Sequence, residues 1–316
     1  MPLKVLLLCA TERGRVCAEK LFDVLPDATF TVCSFKEEAH EPLFILDIQQ
    51  TTEQRGHRFI NTTKVEQLAD NFDLILAISW RYMVPEFFYS KARLGAFVFH
   101  DSLLPTYRGF SPTVWAMINR ERYTGASLIR MAPEVDSGEI IGQIPVEISP
   151  LDYISDVMSR VTASYLVLIE RHIKDIANGI VRTMGVRLLR SSLGLEPWPS
   201  PSYCSKFLPD DARIDWNKTS EQIDALVRAY NRPYPGAFTK LSDNSALTIW
   251  RAQRVDRRYI GYIPGRVVAI VGGGLDVACG GGGVLRLTSV QWRGREPEGE
   301  AFNPGLVFKS LSTTFV

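Results

Sequence analysis

Two stretches of this chain carry side chains suited to moving a proton. Ala96 to Phe99 is an apolar run that reads as a buried strand, and it ends in His100. The tight loop Asp101-Ser102-Leu103-Leu104-Pro105 follows directly. A second apolar run, Ala126 to Met131, leads to the acidic turn Asp136-Ser137-Gly138. A neutral imidazole can take a proton from an attacking nucleophile or hydrogen-bond a developing oxyanion, which contributes roughly 10²–10⁴-fold in rate. A carboxylate beside it can fix the tautomer, raise the basicity and orient the nucleophile. In an open parallel sheet ligands sit beyond the carboxyl ends of the strands, and both His100 and Asp136 are expected there. Taken singly, they read better as a core histidine and a turn-forming aspartate. Taken with the loop between them, they mark the candidate site.

Holding such a pair takes a scaffold, and the chain spells one. Leu3 to Cys9 is continuously apolar, the pattern of a strand covered on both faces. Thr11 to Arg15 reads as a turn, Val16 to Val24 as a helix and Phe30 to Phe35 as a second strand. Only Gly14 stands where a GxGxxG turn would approach a pyrophosphate, which disfavours a nicotinamide dehydrogenase. Lys36 to Pro42 is an acidic loop in which His40 reads as solvated. Asp47 to Arg58 suggests a helix stopped by Gly56, with His57 just past the cap and favourable to the helix dipole. Phe72 to Ser79 is another buried strand, and Trp80 to Pro85 after it would border the site. Asp152 can cap a helix from Tyr153 to Asn178 with Gly179 as its stop, and His172 late in it reads as structural.

The composition shifts after Met184 and culminates in Glu196-Pro197-Trp198-Pro199-Ser200-Pro201-Ser202. Prolines so dense favour an extended linker. The expected division is a first domain over 1–189, a linker over 190–205 and a second domain over 206–316. Beyond the linker, Thr219-Ser220-Glu221-Gln222 is a capping box opening a short helix. Strand-like runs follow at Ala246 to Trp250, Gly265 to Val271, Leu275 to Cys279 and Val284 to Gln291. The glycine clusters at 272–274 and 280–283 read as hairpin turns, because neither Lys-Ser, Lys-Thr nor a helix follows them as a phosphate cradle requires. A small β-barrel preceded by one helix is expected.

Bulk properties narrow the class. Lys plus Arg number 36 against 35 Asp plus Glu over 316 residues, so the overall field gives no reason to expect nucleic acid or membrane. The apolar fraction, 46%, is that of an ordinary globular protein. Cys9, Cys17, Cys33, Cys204 and Cys279 are scattered without a CxxC pair, which suggests a reducing compartment and no metal site. The apolar start is too short for a signal-peptide core or a bilayer span. A cytoplasmic protein is expected.

HDSLLPTYRGFSP, the spacing from His100 to Asp136-Ser137-Gly138, and Gln143 together resemble the folate-dependent formyltransferase family, in its methionyl-tRNA and sugar N-formyltransferase branches. The stretch ARIDWNKTSEQIDALVRAYNRPYPGAF, then LTIW and PGRVVAI, is similar to the second domain of those enzymes. The resemblance implies a Rossmann-like α/β domain with a mostly parallel sheet, followed by a small OB-like open β-barrel. It implies 10-formyltetrahydrofolate as co-substrate, no metal, and transfer of its formyl group to a primary amine. By position, His100 would be the general acid/base and Asp136 its carboxylate partner. One departure stands out: the family has an asparagine two residues before the histidine, and here that place is Val98. Loss of one preorganised donor in an acyl-transfer site costs on the order of 10²–10³ in rate. A slow enzyme, a donor supplied from elsewhere, and a domain that binds without transferring all remain open.

The resemblance would also set the folate along Tyr82, Met83 and Val84 and along Ala132, Pro133, Glu134 and Val135, with Leu104 lining the slot. A flat pterin suits an apolar slot with few polar anchors. In the methionyl-tRNA branch the loop after the second strand is basic, whereas Lys36 to Pro42 has three glutamates and one lysine. That favours a small acceptor, an amino sugar on a nucleotide, over tRNA, with no membrane partner and the oligomeric state open. Arg13, Arg81 and Arg108, with Ser102, are the candidate substrate contacts.

Overall fold

In the computed structural model, β1 (Lys4–Cys9) runs through the centre of a seven-stranded sheet. The structure describes residues 2–38, 41–197, 199–294, 300–308, 311 and 313–315, with the side chains of 186 and 306 excepted; His40 and Trp198 therefore lie outside the described residues. The chain divides into two compact units. The first comprises 1–112, 123–147 and 157–205, and the second 113–122, 148–156 and 206–316.

The first unit is built on β1, β2 (Thr29–Ser34), β3 (Arg58–Asn61), β4 (Leu74–Ile78) and β5 (Ala96–His100), all parallel. The helices between them are α1 (Thr11–Val24), α2 (Ile45–Gln54) and the single turn α3 (Glu86–Tyr89). After β5 come the two-residue β6 (Arg108–Gly109) and α4 (Pro112–Ile118), whose body lies in the second unit. The sheet is completed by β7 (Tyr123–Arg130) and β8 (Ile140–Glu147), in the order β3-β2-β1-β4-β5-β7-β8. The expected α/β, Rossmann-like class is what the structure has. Within it, β7 runs antiparallel to β5 and β8 antiparallel to β7.

Continuous apolar runs bury both faces, as the sequence suggests. Val5, Leu6, Leu7, Leu8 and Cys9 are fully buried. Because side chains alternate along a strand, Ala96, Val98 and His100 share one face of β5 and Phe97 and Phe99 the other. The Phe97/Phe99 face meets α5 (Ile154–Ala177), where the Phe99 and Tyr165 ring centroids are 5.2 Å apart. The Ala96 face joins Leu6, Leu8, Ala77 and Val84 in one apolar cluster.

Several boundaries differ from the sequence expectation. The Thr11–Arg15 turn is the first turn of α1, with Ala10 as its N-cap. Gly56, in the left-handed region, ends the second helix two residues before β3, a strand too short and polar to announce itself. His57 packs against Phe22 and Phe30 at 4.4 and 5.1 Å, so aromatic packing accounts for it, and burial and then Arg55 lower its pKa. The expected 190–205 linker is structured. It carries the end of α6 (Val186–Ser192) and β9 (Tyr203–Cys204), and it belongs to the first unit.

The second unit holds α7 (Ser220–Ala229) and five antiparallel strands, β10 (Ala237–Lys240), β11 (Ala246–Val255), β12 (Val267–Val271), β13 (Gly274–Ala278) and β14 (Val284–Arg293), ordered β10-β11-β14-β13-β12. The capping box forms as read: Gln222 Oε1 accepts from Thr219 N at 3.0 Å and Thr219 Oγ1 from Gln222 N at 3.4 Å. The glycine clusters are turns, with Gly272, Gly273, Gly281 and Gly282 at positive φ. No helix among the described residues is long and apolar enough to cross a membrane.

Candidate active site

β5 delivers His100 to the carboxyl edge of the parallel strands, with its ring largely buried. The path of Asp136 to it is different from the one the sequence suggests. Since β7 is antiparallel, its carboxyl end lies beside the start of β5: Arg130 pairs with Phe97, whereas His100 pairs with Ser127. The connection from Ala132 to Ser137 must therefore return along the sheet to reach His100. Two features make that return. Asp136 adopts φ +49°, a left-handed conformation that aspartate tolerates better than most residues. Gly138 packs so closely that a Cβ there would lie 1.7 Å from the Arg130 carbonyl oxygen.

The result is a buried pair, with Asp136 Oδ2 at 3.4 Å from His100 Nδ1. The same oxygen accepts the Gly109 N–H at 2.8 Å. On the far side of the ring, Nε2 lies 2.7 Å from the Tyr107 carbonyl oxygen. A carbonyl only accepts, so Nε2 carries a hydrogen and, in the neutral ring, Nδ1 is the bare nitrogen facing Asp136. The tautomer is thus set by a backbone carbonyl rather than by the carboxylate. Tyr107 itself is at φ +61° and Ser111 at φ +53°, so strained backbone gathers around the histidine.

A polar network beneath holds the Leu103–Pro105 loop. Ser127 Oγ donates to the Ser102 carbonyl at 2.6 Å and accepts from Leu104 N at 3.3 Å. Gln143 Nε2 donates to Ser127 Oγ and to the Leu104 carbonyl at 2.8 and 2.9 Å. Arg190 of α6 adds a donor to the Leu103 carbonyl at 3.3 Å.

Asp101 turns to a second network. Arg13 Nη1 meets its Oδ2 at 2.5 Å, the Tyr165 hydroxyl donates to its Oδ1, and Arg13 Nε reaches Thr162 Oγ1 at 3.1 Å. Burial alone would push the Asp101 carboxyl up, but the Arg13 guanidinium and the Tyr165 hydroxyl outweigh it and hold it below the usual carboxylate value. Burial, and then the Asp101 charge, push the Tyr165 hydroxyl well above its ordinary value.

The remaining expected site residues fall into four groups. Val84 and Leu104 are buried, while Tyr82, Met83 and Val135 leave apolar side chains at the surface. Val98 packs against the apolar cluster that includes Ala77, Val84 and Ala96, so the place of the family's asparagine is knitted into apolar surroundings. Ala132, Pro133 and Glu134 lie on the returning segment, with Glu134 bonded to the Tyr203 hydroxyl at 2.5 Å. The four expected substrate contacts are all engaged within the chain: Arg13 with Asp101, Arg81 with Glu41 at 2.6 Å, Arg108 with Glu134 at 3.2 Å, and Ser102 Oγ with the Thr106 carbonyl at 2.7 Å. Arg13 is buried, with its guanidinium on that carboxylate. The contributions of Tyr107, Gly109, Ser127 and Tyr165 are absent from the sequence reading. The first two act through backbone groups, which leave no residue-type signal; an aspartate directly after a strand-end histidine was the one clue that a cation and a hydroxyl lie nearby.

Comparison with known proteins fits this geometry. Residues 6–169 match the formyl transferase family and residues 206–305 the formyl transferase C-terminal domain. Among solved structures, HypX from Aquifex aeolicus, crystallised with tetrahydrofolic acid, superposes with a TM-score of 0.60 at 16% identity, covering 97% of this chain and 47% of the other. This chain therefore spans about half of the HypX chain it matches. An N-formyltransferase from Helicobacter canadensis, in complex with folinic acid and dTDP-3-aminofucose, gives a TM-score of 0.64 at 17% identity over 91% of this chain and 99% of the other. A 4-N formyltransferase from Francisella tularensis gives 0.58 at 20% identity over 75% and 91%.

Proposed function

Because this chain belongs to the formyl transferase family, we propose that it moves the formyl group of 10-formyltetrahydrofolate to the primary amine of a small, nucleotide-linked amino sugar. The observation that carries the reading is the buried approach of His100 Nδ1 to Asp136 Oδ2 at 3.4 Å, made by segments far apart in the chain. The amine nitrogen bonds to the formyl carbon, a tetrahedral oxyanion forms, and the C–N bond to the folate breaks. The proton lost by the amine goes to the His100–Asp136 pair, with Asp136 stabilising the imidazolium, and is then returned to the departing folate nitrogen, so that neutral tetrahydrofolate leaves. Tyr107 and Gly109 hold the ring and the carboxylate in register.

The co-substrate fits what the surface offers. Tyr82 and Met83 after β4 and Val135 on the returning segment expose apolar side chains, and Val84, Val98 and Met131 share one cluster between those segments. A flat ring anchored at its polar edge by backbone groups suits such a slot. A small acceptor agrees with the loop after β2, where Glu37 is buried and Glu41 holds Arg81. Relatives that carry dTDP-3-aminofucose support the acceptor class.

Val98 favours a second reading, a domain that holds folate and nucleotide without transfer, because valine cannot polarise the formyl oxygen. Single-turnover reaction with 10-formyltetrahydrofolate and a panel of nucleotide-linked amino sugars separates the two. Release of tetrahydrofolate with a formylated sugar is the expected result. Tight folate binding with no release from any acceptor would establish the second reading, and formylation of methionyl-tRNA alone would move the acceptor to nucleic acid.

A further inference from the structure

We propose that Ser202 is a positioning residue for His100, acting through the backbone of Tyr107 although it lies on the stretch expected to be a linker. The proposal rests on the reading of His100 and Asp136 as the proton-handling pair. Its physical basis is an unbroken chain of contacts. Tyr107 N donates to Ser202 Oγ at 2.9 Å, and the Tyr107 carbonyl then takes the hydrogen of His100 Nε2 at 2.7 Å. Tyr107 is at φ +61°, a conformation a tyrosine adopts only when its surroundings hold it there. Ser202 supplies that hold with three separate groups. Its N–H donates to the Pro105 carbonyl at 3.4 Å, its hydroxyl accepts from Tyr107, and its carbonyl accepts the Arg108 N–H at 2.8 Å.

The neighbouring residues fasten the same strap. β6 pairs in parallel with β9, Arg108 against Tyr203 and Gly109 against Cys204, and Phe110 N donates to the Cys204 carbonyl at 3.1 Å. The approach is close: a Cβ on Gly109, which sits at φ +92°, would lie 2.7 Å from that carbonyl oxygen. The Tyr203 hydroxyl joins Glu134, two residues before Asp136. One short segment therefore touches the loop that carries the carbonyl partner of His100 and the turn that carries its carboxylate. The Ser202 hydroxyl is the one of these contacts made to the Tyr107 backbone by a side chain, and it can be removed without breaking the β6–β9 pairing.

The test uses the full chain and does not require the acceptor to be known. Ring ¹⁵N signals report which nitrogen of a histidine carries the hydrogen, and with four histidines in the chain those of His100 are assigned by comparison with His100→Gln. In the unaltered protein His100 should show the Nε2–H form. In Ser202→Ala it should shift to a mixture of tautomers, with backbone amide spectra otherwise preserved, while Ser202→Thr, which keeps the hydroxyl, should retain the original pattern. Where formyl transfer is measurable, Ser202→Ala should lower kcat on the order of 10-fold and change its pH profile, with KM for the folate unchanged. His100 signals in Ser202→Ala superimposable on the original, with an unaltered kcat, would overturn the proposal. Should the alanine variant fail to fold, Ser202→Cys, a weaker acceptor of nearly the same size, is read by the same signals with the same expectation. A changed His100 pattern in a protein that transfers nothing to any amine would uphold the positioning role and refute the transfer reading.

Discussion

Substituting Val98→Asn restores the amide that the family places two residues before its histidine, and the structure sets the size of both effects. Val98 is partly buried on the His100 face of β5, packed against the apolar cluster that includes Ala77, Val84 and Ala96. Removing its methyl groups forfeits about 1 kcal/mol of apolar burial, less than the 1.5–3 kcal/mol of a fully buried valine. An amide without a committed partner there costs ~1–3 kcal/mol more. The folded state should therefore lose roughly 2–4 kcal/mol, within the margin of an ordinary domain. Against that, a donor aimed at the developing oxyanion is worth on the order of 10²–10³ in rate. The two effects separate cleanly by assay: thermal or urea unfolding reads the first, and single-turnover release of tetrahydrofolate reads the second. The expected outcome is a less stable, faster enzyme. A folded Val98→Asn protein with the destabilisation present and the rate unchanged or lower would refute the reasoning, and would mean that another group already serves the oxyanion in a site arranged around valine.

Three further outcomes follow from particular contacts. His100→Ala should lower transfer by roughly 10²–10⁴-fold while folate binding, followed by calorimetry, stays near its original affinity. Asp101 contributes to the acid limb of stability. Its folded pKa lies below the unfolded value because Arg13 and Tyr165 outweigh burial, so its stabilisation is complete above the ordinary carboxylate range and is lost as pH falls toward the lowered value; Asp101→Asn should flatten the loss of stability below about pH 4 in an acid titration. Gly138→Ala places a methyl group on the Arg130 carbonyl, so it should cost ~3 kcal/mol in unfolding and displace Asp136, which a drop in both melting temperature and transfer rate would register.

What the sequence shows and what it hides divide along physical lines. Leu3 to Cys9, Phe72 to Ser79 and Ala96 to Phe99 are legible because doubly covered strands must be apolar throughout, and the long α5 because its buried positions repeat at the helical period. Arg58–Asn61 is not, since a four-residue edge strand with two half-buried apolar residues between exposed Arg58 and Asn61 has no such requirement. The direction of β7 is hidden for a deeper reason. An apolar run carries no arrow, and the antiparallel pairing of Phe97 with Arg130 arises from a connection through α4 rather than from the strand's own composition. His100 and Asp136 are legible as residue types, yet the sequence gives the wrong route for their meeting. Pro197, Pro199 and Pro201 rightly forbid a helix, but an extended segment can be a strap as easily as a linker, and only the partners of Ser202 and Tyr203 decide between them.

The distribution of strain and charge explains why a valine can sit in this site without leaving it unformed. Tyr107, Ser111 and Asp136 hold left-handed backbone conformations within the two segments that frame His100, and each such residue costs of order 1–3 kcal/mol. Offsetting contacts come from the Ser127–Gln143 network, from Gly109 and from the β6–β9 pairing, none of which involves position 98. Asp101 introduces a negative charge next to His100, but Arg13 and Tyr165 bind that charge on the opposite side, leaving Asp136 as the carboxylate that faces Nδ1. The contacts that hold the His100–Asp136 pair are therefore made by groups other than position 98, although Val98 shares the His100 face of β5. A change at 98 leaves those contacts in place, so Val98→Asn should alter the rate of transfer without altering its pH profile. A pH profile displaced along with the rate would show that the two are coupled.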